Sequence, residues 1–145
     1  MIAQNELILL DTNVLLQLVR GNEIGKRIDA NYQLRARLER PLISVITVGE
    51  AMALAKKFKW AEQKAGELQK LLGELVIVDI NHASVLSQYA EISGYLESIG
   101  QPIGQNDMWI AATAAAANAW LLTTDKDFDR LTPNYIKREY VNPQP

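Results

Sequence analysis

Five acidic residues stand where chemistry could be done. Asp11 directly follows the apolar run Leu7-Ile8-Leu9-Leu10, Glu50 lies one helical turn past the run Leu42 to Ile46, and Asp79 closes the run Leu75 to Val78. Asp107 comes just after the glycine-rich stretch 100–104, and Asp125 just past Trp120-Leu121-Leu122-Thr123. Short continuous apolar runs fit strands buried on both faces, as in a parallel sheet. In open α/β sheets ligands bind beyond the carboxyl ends of the strands, where these acids fall. Clustered carboxylates repel one another and so call for cations. An all-oxygen ligand set suits Mg²⁺ or Mn²⁺. An ion held there can activate water and stabilise charge building on a phosphoryl group. Taken singly, each acid also has a local use: Asp11 and Asp107 as helix caps, Glu50 in a capping box, Asp125 in a solvated turn, and Asp79 as a turn acid at a strand end, the favoured reading for that residue.

The elements between these acids alternate. A helix over 14–20 follows Asp11, capped by Asp11 or Thr12 and stopped by Gly21. A second, polar and basic helix spans 22–39 and is ended by Pro41. Thr47 caps a helix reaching Phe58, with Glu50 at capping-box spacing. Helices follow over 60–72, over a long stretch capped by Asn81, and from Asn106 or Asp107 to Asn118. A weak fifth strand falls at 138–141. Strand–helix alternation predicts an α/β fold with a central parallel sheet of four to five strands, covered by helices on both faces. No repeat or linker divides the 145 residues, so one domain, 1–145, is expected, with the tail 142–145 loose.

Composition narrows the chemistry. There is no cysteine, which excludes thiolate metal sites and cysteine nucleophiles, and a single histidine, His82, excludes a multi-histidine metal site within one chain. His82 reads as an exposed residue at a helix start. Ser44 and Ser84 lack a nucleophile-elbow context, and no Walker A or GxGxxG pattern occurs. No signal peptide or membrane span is visible, so the cytoplasm and no membrane partner are expected. The net charge is −2, yet residues 20–70 carry +5 and residues 71–145 carry −5. A basic segment facing acidic ends bears on partners.

The segment Leu9-Leu10-Asp11-Thr12-Asn13-Val14-Leu15 resembles the opening motif of PIN-domain ribonucleases. Glu50 in Ser44-Val45-Ile46-Thr47-Val48-Gly49-Glu50 matches that family's second acidic position. Ile103-Gly104-Gln105-Asn106-Asp107-Met108-Trp109-Ile110-Ala111-Ala112 resembles the third, and Leu121-Leu122-Thr123-Thr124-Asp125-Lys126-Asp127-Phe128 the fourth. The four motifs fall in the family's order over residues 7–131. The compact length is similar to that of the VapC-type toxins of bacterial toxin–antitoxin modules.

The resemblance implies a three-layer α/β/α sandwich, usually a homodimer. It implies Mg²⁺- or Mn²⁺-dependent endonucleolytic cleavage of structured RNA, and a cognate antitoxin that wraps the toxin and blocks its site. Carried over, Asp11 and Asp107 would be the main metal ligands, with Glu50 and Asp125 completing the acidic pocket. Thr12, Asn13 and Thr123 would orient the carboxylates. An acidic pocket repels RNA, so Arg27, Arg35, Arg37, Lys56 and Lys57 of the basic segment are the expected backbone contacts.

Two rival readings remain at this level: a phospho-acceptor receiver domain using Asp79, and a non-catalytic binding module on the same fold. One further expectation concerns assembly. The helix after Asp11 carries Val14, Leu15, Leu16, Leu18 and Val19, more apolar residues than one sheet-facing arc holds. The surplus must meet another helix, for which the long helix 82–99 is the candidate, a second subunit or an antitoxin, and the dimers usual in the family favour a second subunit.

Overall fold

The computed structural model describes residues 2–144. Its centre is a five-stranded sheet in the order β3-β2-β1-β4-β5, with every neighbouring pair parallel. The strands are β1 (Ile8–Leu10), β2 (Leu42–Ser44), β3 (Val76–Val78), β4 (Trp120–Thr123) and β5 (Lys137–Tyr140). The helices are α1 (Thr12–Arg20), α2 (Glu23–Tyr32), α3 (Val45–Lys57), α4 (Glu62–Gly73), α5 (Ala83–Ile99) and α6 (Gln105–Ala116), with a 3₁₀ turn at Lys126–Leu131.

The inner strands β1, β2 and β4 are mostly apolar because both sheet faces are covered there, whereas edge strand β5 is Lys137-Arg138-Glu139-Tyr140 and half-buried, and apolar edge strand β3 is largely exposed. On one face Leu10, Ile43 and Leu122 pack with Val14, Leu15, Ile28, Leu68 and Leu72 from α1, α2 and α4. On the other, Leu9 and Leu121 pack with Val85, Ile92, Ile110, Ala111 and the fully buried Phe128. The alanines of α6 let that helix lie close against α5 and the sheet. The expected three-layer architecture is therefore present.

Several local expectations change. The second helix ends at Tyr32 rather than Glu39, with Gln33 in the left-handed region as its cap. Beyond it the chain is tied down by Leu34, which is buried, and by Arg37, whose guanidinium turns inward onto backbone carbonyls. Gly25 lets α2 approach α1: a Cβ there would lie 2.2 Å from the Gln17 carbonyl oxygen. β2 stops at Ser44, which caps α3 by accepting from the Ile46 N–H. Thr47 is thus inside the helix, and Glu50 belongs to no capping box. His82, not Asn81, caps α5, its ring nitrogen accepting from the Ser84 N–H. Gly104 caps α6, so Asn106 and Asp107 lie within its first turn.

The apolar surplus of α1 is absorbed inside the chain. Val14, Leu15, Leu16 and Val19 are all buried, because α1 packs against α2, α3 and α4 as well as the sheet. Of the five apolar residues only Leu18 stays half-buried. The tail is also held: the Arg27 guanidinium donates to the carbonyls of Asn142 and of Gln144, the latter at 2.8 Å. Pro145, part of the tail expected to be loose, lies outside the described residues. No helix among the described residues is long and apolar enough to cross a membrane.

Candidate active site

The chain builds β1, β2 and β3 outward to one side, then returns to place β4 and β5 on the other. The sheet's switch point therefore lies between β1 and β4, and a crevice opens beyond their carboxyl ends. Asp11 sits at its base. Its N–H donates to the Leu122 carbonyl at 3.0 Å, pinning it to β4. Its side chain is 4% exposed. Oδ1 accepts from the Thr12 N–H at 2.8 Å and Oδ2 from the Thr123 hydroxyl at 2.7 Å. Asp11 is thus a helix cap and a site residue at once.

Glu50 reaches the same crevice from α3. The Thr12 hydroxyl donates to its Oε1 at 2.6 Å, and Asn106 Nδ2 donates to its Oε2 at 3.2 Å. The Thr47 hydroxyl, fully buried, lies 3.1 Å from that of Thr12. A hydroxyl has one proton to give, and Thr12 gives its own to Glu50, so Thr47 is the donor in that pair. Thr47 and Asn106 had no assigned part in the site from sequence. Their signal was spacing: Thr47 stands one turn before Glu50, and Asn106 adjoins Asp107.

Asp125 closes the crevice from the β4 end. Its N–H donates to the Thr123 hydroxyl oxygen at 2.9 Å, and its carboxylate accepts from the Asp127 N–H at 2.8 Å. Asp107 projects from the first turn of α6.

The four carboxylates crowd one another. Burial pushes Asp11 up to about 6; the Thr123 and Thr12 bonds oppose it, and the charges of Asp125 and Glu50 add to it. Asp107 is pushed up to about 7, by burial first and then by the charges of Asp11, Asp125, Glu50 and Asp127. A helix N-terminus ordinarily favours an anion, so desolvation and repulsion outweigh the macrodipole here. Among the described residues no three acidic or histidine side chains close on one point as a finished cage. Crowding without a cage fits a divalent ion held through one or two carboxylates with water filling the rest of its shell. Asp11 and Asp107, the two destabilised carboxylates, are the residues best placed to gain from it.

Other expected residues fall elsewhere. Asn13, next along α1 from Thr12, is exposed and holds none of the four acids. Asp79 is exposed at the end of edge strand β3, where its carboxylate caps a turn by accepting from the Asn81 N–H. Three of the five basic residues are already engaged. Arg37 is buried and donates to the carbonyls of Ala3, Glu6 and Tyr32. Arg35 pairs with Asp29 at 3.2 Å and Glu74 at 3.4 Å, and Arg27 grips the tail. Lys56 and Lys57 are exposed on α3.

The fold and the crevice define a parallel α/β domain with an acidic site at its switch point. The family model for the PIN domain matches residues 8–132, and the chain belongs to that family. It is 36% identical over 132 residues to Ribonuclease VapC2 of Rickettsia felis, covering 88% of this chain and 93% of that one. It is 33% identical over 127 residues to Ribonuclease VapC1 of Haemophilus influenzae, covering 86% and 91%. Among solved structures it resembles a chain of VapBC2 from Rickettsia felis bound to a promoter DNA fragment, with a TM-score of 0.80 and 30% identity, covering 92% of this chain and 98% of that chain. A chain of VapBC-1 from nontypeable Haemophilus influenzae aligns with a TM-score of 0.76 and 27% identity, covering 92% and 97%. A receiver domain is thereby set aside.

Proposed function

We propose that this chain is a divalent-metal-dependent endoribonuclease, the toxin of a type II toxin–antitoxin pair, acting on structured RNA. The observation that carries the reading is the convergence of Asp11, Glu50, Asp107 and Asp125 at the switch point, in a chain whose relatives are named ribonucleases. Asp11 and Asp107 would hold Mg²⁺ or Mn²⁺, with Glu50 and Asp125 beside them. When bound, the ion supplies water activation and neutralises charge building on the phosphoryl group. The chain's own part is orientation. Thr123 and the Thr12 N–H fix the Asp11 carboxylate, while Thr12, backed by Thr47, and Asn106 fix that of Glu50. Purified protein should cut a folded RNA in Mg²⁺ or Mn²⁺ and stop in chelator. A well-folded protein that leaves a panel of transfer and ribosomal RNAs intact in both metals would return the fold to the binding-module reading.

The likeness to chains of VapBC2 and VapBC-1 also supports a cognate antitoxin, a separate small protein that would cover the crevice. For assembly of the toxin itself, the exposed apolar residues support a different face from the one expected on α1. Val76 and Ile77 are exposed on edge strand β3, and Val45 and Met52, two turns apart on α3, are exposed beside it. An uncovered apolar edge invites association. A homodimer through this face is the expected assembly. Light scattering without antitoxin should give twice the chain mass, and Met52→Lys with Ile77→Lys should halve it. A parent that is monomeric at micromolar concentration removes this assignment.

A further inference from the structure

The ends of α1 and α3 and the start of α4 meet at a corner that the acidic crevice does not use. Arg20 closes α1, Lys56 and Lys57 close α3, and Phe58 follows. Lys59 turns the chain in the left-handed region, with φ at 54°, and Trp60 and Lys64 lead into α4. The Arg20 guanidinium lies 6.0 Å over the Phe58 ring, and the Lys64 ammonium 5.0 Å over the Trp60 ring. Phe58 is 47% exposed. Between residues 51 and 66 the sequence holds one acid, Glu62, against four lysines. None of these cations is in an ion pair among the described residues.

Helix stability explains part of this. Lys56 and Lys57 complement the negative end of the α3 dipole. It does not explain Lys64, third in α4, where the dipole disfavours a cation, nor an exposed phenylalanine under an arginine. Unpaired cations interleaved with accessible rings are what a single-stranded nucleic acid needs: charge for the backbone and flat faces for its bases. By helix rise, Phe58 lies about 12 Å along α3 from Glu50, within reach of a few nucleotides.

We propose that this corner is an RNA-docking surface. Lys57 and Lys64 take backbone phosphates, and an unpaired base stacks on Phe58 beside Arg20. The proposal rests on the ribonuclease reading and deepens it: it supplies the positive surface that an acidic crevice lacks and favours substrates with an unpaired segment near the cut.

The test is binding of a fluorescein-labelled, mixed-sequence 12-nucleotide single-stranded RNA to protein carrying Asp11→Asn, so that binding is read without turnover. Lys57→Gln with Lys64→Gln should weaken binding about tenfold at low salt. The plot of log affinity against log salt should flatten by about 1.4, two contacts at roughly 0.7 each. Phe58→Ala should weaken binding about tenfold with the slope unchanged, since stacking releases no counterions, and Phe58→Trp should restore it. Thermal midpoints of the lysine variants should stay close to the parent's, because the favourable dipole interaction lost at Lys57 is offset by the unfavourable one relieved at Lys64. Equal affinities and slopes across the variants, or a parent that binds no RNA, overturn the proposal. Cleavage by the wild-type protein is scored separately, so a failed corner and a failed ribonuclease reading are told apart.

Discussion

Asp11→Asn or Asp107→Asn should reduce RNA cleavage a hundredfold or more while leaving the fold intact, the scale of losing several kcal/mol of charge stabilisation at the reacting phosphoryl. The substitution is nearly isosteric. At position 11 the amide oxygen can still accept from the Thr12 N–H, and the amide nitrogen can donate to the Thr123 hydroxyl oxygen where the carboxylate accepted. Metal-free stability should hold or rise, because a buried charge leaves a crowd of like charges. Asp11→Ala should behave differently: it leaves the Thr12 N–H and the Thr123 hydroxyl without their partner, at a cost of about 1–3 kcal/mol. Cleavage rates and urea midpoints on the same preparations check both halves. A folded Asp11→Asn or Asp107→Asn protein that cuts at the wild-type rate removes that residue from the site.

Without metal, the protein should lose stability as the pH rises from 5 to 7. Asp11 and Asp107 ionise at about 6 and about 7 in the folded chain, against roughly 3.9 when unfolded. The folded state therefore holds more protons through this window, and stability falls with pH wherever that is so. Their favourable contribution is full below the unfolded value and lost as the pH passes through the folded ones. The pair titrates together, so the loss belongs to the pair rather than to either residue. Glu6 works the other way: its carboxylate is held below the usual range by its bond to the Ala3 N–H and by Trp120, so its contribution is lost in acid. Comparison above pH 5 isolates the crevice. Urea midpoints in chelator should drop between pH 5 and 7, and millimolar Mn²⁺ at pH 7 should restore them, since an ion that binds only the folded state stabilises it. A midpoint that is flat or rising over that range in chelator would show that the carboxylates do not repel as placed. Asp107→Asn should flatten the slope.

The sequence by itself determined the class of fold and the acids of the crevice. A parallel strand buried on both faces must be an unbroken apolar run, and the runs ahead of Asp11, Glu50 and Asp125 are such strands; the equally apolar run ahead of Asp79 reads the same but forms the exposed edge strand β3. The residue at such a strand's carboxyl end is likewise fixed by chain position, so Asp11 and Asp125 were legible without knowing the strand order. That order decided what the runs could not. It put β1 beside β4 and left β3 at the edge, bringing Asp125 to Asp11 and leaving Asp79 as a turn cap. Partnerships across 30 or more residues were equally invisible. Arg37 read as a free cation but is spent on the Ala3 and Glu6 carbonyls, and the apolar surplus of α1 left open another helix, a subunit or an antitoxin until three helices, α2, α3 and α4, were seen to cover it. Thr47 and Glu50 looked like a local capping box. Ser44 took the cap, and the two side chains turned instead to Thr12, on another helix. Periodicity and caps are written along the chain because they depend on neighbours three or four residues away; hydrogen-bond partners and covered faces depend on which elements pack together, and only the folded chain selects those.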